Sequence, residues 1–237
     1  MDESSEHGEW ARSRTAAALA AGGPRRLVGV MVTSVDARAA LDGKSGGLSS
    51  APDRALLKAW RAAAGGVLVG ARTLETERYG SLIPEPARAV RLAAGQEGWP
   101  RLLTISRRLD LDLDAVLSTD PDLPLTVYAQ TGAGELPDHR GTDVELVTLD
   151  DVSPAAVVAD ARARRGYDVI ACEGGPHLLA AALADGALTD LSLTIAPTVI
   201  GSGPPLLPEG DLDAAVALEL VACDARDGSV FAHYAVR

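Results

Sequence analysis

A pair of glycines, with a glutamate before it and a proline after it, separates an apolar run from a helix-like segment. The stretch reads YDVIACEGGPHLLAAALADG and covers residues 167–186. Glycine lets the backbone approach another surface closely, and a proline at the start of a helix sacrifices no hydrogen bond. The amide N–H groups of His177, Leu178 and Leu179 then lack partners within the helix, which is the arrangement that binds phosphate groups. The pattern favours a phosphate site here, and a tight turn without a ligand is the alternative.

Two other apolar runs also end in residues that suit an anion. They are VLVGARTLETERYG (67–80) and LLTISRR (102–108). Gly70 ends the first run and is followed by Arg72 and Thr73, and the second run ends in Ser106 and Arg107. In a chain with a formal net charge of -11, these arginines indicate local anion sites, because a guanidinium can donate two hydrogen bonds to one phosphate. Solvated loop arginines are the alternative for each stretch taken alone.

Two common signatures are absent from the sequence. There is no G-x-G-x-x-G segment, so the usual dinucleotide fingerprint is missing. His7, Gly8 and Glu9 have the H-x-E spacing of zinc deaminases, but those enzymes also need a C-x-x-C segment, which the chain lacks. The H-x-E match is therefore interpreted as chance, and no metal site is expected.

Short apolar runs alternate with helix-like windows from residue 27 onward. The strand candidates are LVGVMVTS (27–34), VLVG (67–70), RLLTIS (101–106), LTVYA (125–129), VELVTL (144–149) and YDVIAC (167–172). Ser50 or Ser49 can cap one helix, and Ser153 can cap another that ends at Gly166. This alternation predicts an α/β sandwich around a mostly parallel sheet, whose ligands bind beyond the carboxyl ends of the strands.

The two ends of the chain differ from this pattern. LSLTIAPTVIG (191–201) and GSVFAHYAV (228–236) are strand-like, and they suggest antiparallel strands at one edge of the sheet. Residues 1–24 are predicted to be a peripheral extension with a loose leader and a short helix, and 25–237 a single domain. Because edge strands carry unpaired backbone groups, the C-terminal strands predict pairing with a second copy, hence a homodimer.

The composition narrows the partners. The net negative charge argues against nucleic acid and anionic membranes, and the three Trp, four Tyr and one Phe offer few stacking surfaces. No run of about 18 apolar residues suggests a membrane span, and the polar N-terminus is unlike a secretory signal. Only Cys172 and Cys223 are present, which favours a reducing cytoplasm. A small-molecule ligand is the remaining expectation.

Four stretches carry a family resemblance. They are VTSVDARAALDGKSGG (32–47), VGARTLETE (69–77), TISR (104–107) and CEGGPHLLAAALADGALTDLSLTIAPTVIGSG (172–203). Together they resemble the reductase domain of riboflavin biosynthesis, the C-terminal domain of the bifunctional deaminase-reductase, over roughly residues 26–236. The resemblance implies a dihydrofolate-reductase-like three-layer sandwich that uses NADPH.

The resemblance also implies roles for individual residues. Cofactor contacts would fall on Val32, Gly47, Gly70, Arg72, Thr73, Glu77, Ser106, Arg107, Gly174, Gly175, Pro176, His177 and Leu178. Substrate contacts would fall on Asp36, Arg61, Glu77 and Glu173, with Asp36 and Glu173 as the catalytic candidates. One departure lies beside them, since this chain has Ala37 where the family often has glycine after the aspartate.

The reaction implied is transfer of a hydride to the ribose C1 of a ribosylaminopyrimidine. The protein would position the reactants and exclude water, while the cofactor carries the reactive bond. Asp36 and Glu173 would orient the substrate, or relay a proton if burial raises a pKa. Reduction of a dihydrofolate or another pterin on the same fold is an alternative. A non-catalytic NADPH-binding module is a second alternative.

Overall fold

A computed structural model of the chain describes residues 3–77 and 79–237, and its strands form one nine-stranded sheet. In chain order the strands are β1 (Arg26–Thr33), β2 (Gly66–Gly70), β3 (Arg101–Ile105), β4 (Leu125–Gln130), β5 (Val144–Leu149), β6 (Val169–Cys172), β7 (Asp190–Ile195), β8 (Leu218–Arg226) and β9 (Ser229–Val236). Their order across the sheet is β5-β4-β3-β2-β6-β1-β7-β9-β8. The pairs from β5 to β7 are parallel, and β9 runs antiparallel to both β7 and β8.

The helices are α1 (Glu3–Ala20), α2 (Ala51–Ala63), α3 (Ala71–Glu77), α4 (Glu85–Ala93), α5 (Leu113–Val116), α6 (Pro154–Arg165) and α7 (Pro176–Ala184). The Ser50 side chain caps α2 by accepting from the Asp53 amide, and Ser153 caps α6 in the same way. Gly166 ends α6 in the left-handed conformation, at a φ of 69°. The cap residues predicted from the sequence are confirmed. None of these helices has the length and hydropathy that a membrane crossing requires.

The sheet has an apolar layer on each face. On one face, Leu179, Ala182 and Leu183 of α7 and Val157 and Val158 of α6 are buried against the strands. On the other face, α1 and α2 share a cluster with β1 and β9, and the chain between β2 and β5 supplies a further cluster. The sheet is thus the middle of three layers, so its ends are where a ligand can approach it.

A notch interrupts the carboxyl edge of the sheet because β6 is short. Cys172, its last residue, is paired in register with Gly29 on one side and Leu68 on the other. Strand β1 continues to Thr33 and β2 to Gly70, so both neighbours extend beyond the point where β6 ends. The order of strands also reverses here, since β6 lies between β1 and β2. Ligand sites of open α/β sheets form at such positions.

The predicted mostly parallel sheet with antiparallel C-terminal strands is confirmed, but the predicted strand over 191–201 is wrong in its extent. Strand β7 ends at Ile195 and is parallel to β1. Pro197 cannot donate a backbone hydrogen bond, so the chain leaves the sheet there. The antiparallel strands are β8 and β9, and β8 was not predicted because most of its residues are exposed on both faces.

The N-terminal segment is more ordered than a loose leader. Helix α1 begins at Glu3 and runs to Ala20, and its residues Ala11 and Ala18 are buried beside Leu56 and Trp60 of α2. Trp10 meets Phe231 of β9 edge to face, with 4.9 Å between ring centroids. The helix therefore covers the face of the sheet near the C-terminal hairpin.

Candidate active site

The glycine pair after β6 is fastened to the turn that follows β2. The Gly70 amide donates to the Gly174 carbonyl at 2.7 Å, and the Gly175 amide donates to Thr73 Oγ1 at 2.9 Å. Gly174 has a φ of 77°, in the left-handed region that favours glycine, and a cis peptide joins it to Gly175. A Cβ atom on Gly175 would lie 2.7 Å from Thr73 Oγ1, so a larger residue there would have to displace the Thr73 hydroxyl. The turn is therefore a built contact between two strand ends.

This contact leaves hydrogen-bond donors at the carboxyl edge. Thr73 Oγ1 accepts from Gly175, so its own hydroxyl hydrogen remains to be donated. Pro176 opens α7, and the amides of His177 and Leu178 in its first turn have no intrahelical acceptor. The prediction of a free amide at Leu179 is wrong, because this amide donates to the Gly175 carbonyl at 3.0 Å. The Thr73 hydroxyl and the two free amides are the donors that a diphosphate group needs. The arrangement fits the phosphate site that the sequence predicts.

The His177 ring points away from this role. Its side chain is 83% exposed, and Nδ1 lies 2.6 Å from Oδ2 of Asp211. Any contribution of His177 to the glycine turn therefore comes through its backbone amide. Arg72 is exposed at the start of α3, where its guanidinium is accessible to an anion.

Arg61 and Glu173, both predicted to contact substrate, contact each other. Arg61 Nε donates to Glu173 Oε1 at 2.6 Å, and Arg61 Nη2 donates to Oε2 at 2.7 Å. The hydroxyl of Tyr79 donates to the same Oε2 at 2.8 Å, and the guanidinium lies 5.1 Å from the centre of the Tyr79 ring. The Arg61 and Glu173 side chains are only 16% and 5% exposed. The floor of the notch is thus a buried ion pair that also accepts a hydrogen bond from the Tyr79 hydroxyl.

Burial and neighbouring charges shift the pKa values of Arg61 and Tyr79. Burial disfavours the charged guanidinium, but the Glu173 carboxylate outweighs that effect and raises the pKa of Arg61 above its ordinary value. Burial, followed by the charge of Glu173, raises the pKa of Tyr79 well above its ordinary value. Arg61 therefore remains a cation and Tyr79 remains a neutral hydrogen-bond donor at physiological pH.

Asp36 organises a loop. Its carboxylate accepts from the Ser34 hydroxyl at 2.6 Å and from the amides of Ile200 and Gly201 at 3.0 and 2.7 Å. The Ser34 hydrogen bond, followed by the two amides, lowers the pKa of Asp36 far below its usual range. The carboxylate is thus ionised and occupied at neutral pH. Ala37, the departure from the family pattern, keeps the turn with a φ of 59°.

Three further predicted residues border the same edge. Glu77 Oε1 accepts from the Ser45 amide at 2.9 Å, which ties the end of α3 to the 3-10 turn over Ser45–Gly47. Gly47 is exposed in that turn. Val32, near the end of β1, is half-buried and paired in register with Thr194 of β7. Within the described residues, no hydrogen bond joins any of the three to the Arg61–Glu173 pair.

The pair predicted for an adenosine phosphate lies farther along the edge, after β3. The buried Ser106 hydroxyl donates to Asp110 at 2.9 Å, so it supports the turn, while Arg107 is exposed. Three strand spacings separate β3 from β1, which is about 14 Å. The sites at β3, β6 and β1 are therefore spread along one edge, as an extended ligand requires.

Tyr79 was missed by sequence reasoning. It lies 94 positions from Glu173, and nothing in its local spacing signals the contact. Its aromatic ring in a chain with few aromatics is the one feature that draws attention to it. Within residues 3–77 and 79–237, no group of three His, Cys, Asp or Glu side chains is placed to hold a metal ion.

The chain matches a protein-family model and is similar to several solved structures. A family model described as the RibD C-terminal domain matches residues 25–231. The structure is similar to a pyrimidine reductase-like protein from Corynebacterium diphtheriae, at 28% identity and a TM-score of 0.75, over 90% of this chain and 92% of that chain. It is also similar to the riboflavin biosynthesis reductase Rib7 of Saccharomyces cerevisiae, at 16% identity and a TM-score of 0.63, over 91% and 92% of the two chains.

A third similar structure is the diaminohydroxyphosphoribosylaminopyrimidine deaminase/5-amino-6-(5-phosphoribosylamino)uracil reductase of Thermotoga maritima. The identity is 17% and the TM-score 0.67, over 90% of this chain and 57% of that chain. This chain therefore spans little more than half of that bifunctional protein. No curated protein sequence matches the chain.

The sheet and its flanking layers define a three-layer α/β sandwich with a mostly parallel sheet and antiparallel C-terminal strands, and this part of the predicted fold class is confirmed. Because the family model spans most of its length, this chain belongs to the RibD C-terminal domain family. The resemblance inferred from the four sequence stretches is thereby confirmed.

Proposed function

We propose that this chain is an NADPH-dependent reductase of a ribosylaminopyrimidine in riboflavin biosynthesis. The observation that carries the proposal is the Gly174–Gly175 turn, fastened to Thr73 at the notch of the sheet, in a chain of the RibD C-terminal domain family. The similar protein from Thermotoga maritima is named as a 5-amino-6-(5-phosphoribosylamino)uracil reductase and the one from yeast as a riboflavin biosynthesis reductase, which supports the same activity here.

The cofactor fits the donors at the carboxyl edge. The diphosphate of NADPH would accept hydrogen bonds from the Thr73 hydroxyl, from the first amides of α7 and from Arg72. The backbone at Gly70, Gly174 and Gly175 would pass close beneath the diphosphate. A larger residue at Gly175 would also displace the Thr73 hydroxyl. Arg107, supported by the Ser106 turn, would meet the adenosine phosphate.

The substrate would occupy the other half of the notch. When bound, NADPH supplies the hydride that reduces the ribose C1 of the pyrimidine substrate. Val32 and Gly47 would border the nicotinamide, and Arg61, Glu77 and Glu173 would present polar groups to the substrate. Asp36 would act through the loop that it holds at Ile200 and Gly201, which follows β7 beside the notch. The loop would exclude water from the reacting carbon.

We also propose a cytoplasmic homodimer. Strand β8 is an edge strand, and its residues Leu218, Leu220 and Val221 are exposed apolar side chains. An edge strand with unpaired backbone groups and an apolar surface favours pairing with a second copy. Cys172 and Cys223 are both free thiols, which supports a reducing compartment.

Cofactor binding and turnover can be measured separately. Calorimetry with NADPH and then NADH tests the cofactor, and absorbance at 340 nm tests turnover with 5-amino-6-(5-phosphoribosylamino)uracil and, in parallel, dihydrofolate. We expect binding of NADPH in preference to NADH, and oxidation of NADPH only with the pyrimidine. Oxidation with dihydrofolate alone would replace the substrate assignment, and binding without turnover would favour the non-catalytic module.

Replacement of Thr73 tests the phosphate site directly. Thr73→Val keeps the shape of the side chain but removes the hydroxyl, so the affinity for NADPH should fall about 10-fold or more. The matched control is Thr76→Val on the same helix, where the hydroxyl donates to the Arg72 carbonyl at 2.8 Å and faces solvent. Equal calorimetric affinities for the two variants would contradict the assignment of Thr73.

A further inference from the structure

Tyr79 contacts both charged side chains at the floor of the notch. Its hydroxyl donates to Glu173 Oε2, and its ring lies against the guanidinium of Arg61. The ring is buried, and the following residues Leu82 and Ile83 are buried in the apolar cluster beside β2 and β3. The segment that carries Tyr79 is therefore anchored, and its hydroxyl has a defined direction.

The hydrogen bonds to Glu173 are distributed unequally between its two oxygens. Oε1 accepts from Arg61 Nε at 2.6 Å, whereas Oε2 accepts from Arg61 Nη2 at 2.7 Å and from Tyr79 at 2.8 Å. A carboxylate oxygen has about two acceptor positions. Over the described part of the chain, Oε2 is thus saturated, and Oε1 keeps one position that no protein donor fills.

We infer that Tyr79 is a positioning residue for Glu173: it saturates Oε2 and leaves Oε1 as the oxygen that accepts a hydrogen bond from the substrate. The inference rests on the proposed reductase function, because Oε1 needs a substrate N–H or O–H group to accept from. Arg61 fixes the plane of the carboxylate by its two parallel hydrogen bonds. Tyr79 adds the asymmetry between the two oxygens.

Replacement of Tyr79 by phenylalanine isolates this role. Tyr79→Phe retains the ring against Arg61 and removes only the hydroxyl. With 5-amino-6-(5-phosphoribosylamino)uracil we expect kcat to fall about 10-fold, while the KM for NADPH stays unchanged.

Tyr167→Phe is the matched control. The Tyr167 hydroxyl donates to Glu97 Oε2 at 2.7 Å, so the control loses the same kind of hydrogen bond, at the amino end of β6. Its kcat and its KM for NADPH should equal those of the unaltered enzyme. An unchanged kcat in Tyr79→Phe would overturn the inference, as would an equal loss of kcat in the control.

A measurement without ligands separates this inference from the proposed function. Tyr79 can be assigned in a ¹³C-tyrosine NMR spectrum as the signal lost in Tyr79→Phe. Its pKa should fall in Glu173→Gln, because the Glu173 charge that helps to raise it is removed. The double variant Arg61→Gln/Glu173→Gln leaves no unpaired buried charge, and in it the Tyr79 pKa should fall by less, because the Arg61 charge that lowers this pKa is also removed. If the enzyme shows no reductase activity, the proposed function fails, and this titration alone decides: an unmoved Tyr79 pKa overturns the contact.

Discussion

Asp53 is a carboxyl group that folding takes out of water. It lies in the first turn of α2 and is buried, and burial raises the pKa of Asp53, while hydrogen bonds from Thr194 and Ser49 partly offset that effect. A carboxyl group whose pKa is higher in the folded state binds its proton more tightly there. The free energy of unfolding therefore declines as the pH rises from the unfolded pKa of 3.8 through the folded pKa.

Replacement of Asp53 by asparagine should reverse this loss. Asp53→Asn carries no charge, so we expect it to be more stable than the original protein at pH 7, with the difference shrinking toward pH 3. Asp151→Asn is a control of opposite sign, because the backbone and hydroxyl of Ser153 lower the pKa of Asp151. Urea unfolding at both pH values checks the pair. If the Asp53→Asn variant is less stable than the original protein at pH 7, the prediction is wrong, and the hydrogen bonds to the Asp53 carboxylate outweigh the cost of burying its charge.

The loop that Asp36 holds follows the ends of β1 and β7, on one side of the notch. The segments 34–39 and 198–206 are joined by backbone hydrogen bonds, including those from Val35 to Thr198 and from Leu206 to Ala37. Asp36 adds an acceptor for two consecutive amides of the loop. Because the pKa of Asp36 is lowered, this contribution is complete above the unfolded pKa of 3.8 and is lost only at lower pH.

Asp36→Asn should therefore loosen the loop at neutral pH. An amide group offers one acceptor oxygen, and its NH₂ group faces one of the two backbone donors, so one hydrogen bond is lost. We expect hydrogen exchange at the amides of Ile200 and Gly201 to become about 10-fold faster, with exchange in β4 unchanged. Asp42→Asn, on the exposed neighbouring turn, serves as the control. If hydrogen exchange at Ile200 and Gly201 is unchanged in Asp36→Asn but turnover is lost, the loop role is contradicted and Asp36 acts in the catalytic step.

Elements with a strong local signal could be predicted, and elements defined by distant contacts could not. An apolar run signals the strand before Glu173. The caps at Ser50 and Ser153 are signalled by hydroxyl side chains that accept a hydrogen bond from a backbone amide nearby in the sequence. Strand β8 has no alternation to detect, because it lies at an edge and is exposed on both faces. Glu173 could be chosen from its motif, whereas its partner Tyr79 depends on a fold that joins distant segments.

The two ends of the whole molecule meet at the antiparallel edge of its sheet. Arg14 of α1 donates to the Phe231 carbonyl of β9 at 2.8 Å, and Arg226 of β8 lies 5.1 Å from the centre of the Trp10 ring. Helix α1 thus contacts the β8–β9 hairpin near its turn. Leu218 and Leu220, paired in register with Val236 and Tyr234, remain exposed on β8.

The proposed dimer places this edge against the same edge of a second copy. Leu220→Lys introduces a charge where the Leu220 side chain is 54% exposed, and burial of that charge in an interface is costly. Light scattering after gel filtration should give a dimer for the unaltered chain and a monomer for the variant. Val90→Lys, on α4 and 68% exposed, is the matched control and should remain dimeric.

The three outcomes of that measurement point to different surfaces. Dissociation of Leu220→Lys alone would assign the interface to β8, whereas dissociation of both variants would indicate a general effect of added charge on solubility. If the unaltered chain is a monomer, the proposed dimer is contradicted, and β8 is an edge strand that no second copy pairs with. Because the notch lies on the carboxyl edge at β6, four strands from β8, cofactor affinity should be the same in the monomeric variant and in the dimer. A loss of NADPH binding on dissociation would instead mean that the second copy supports the notch.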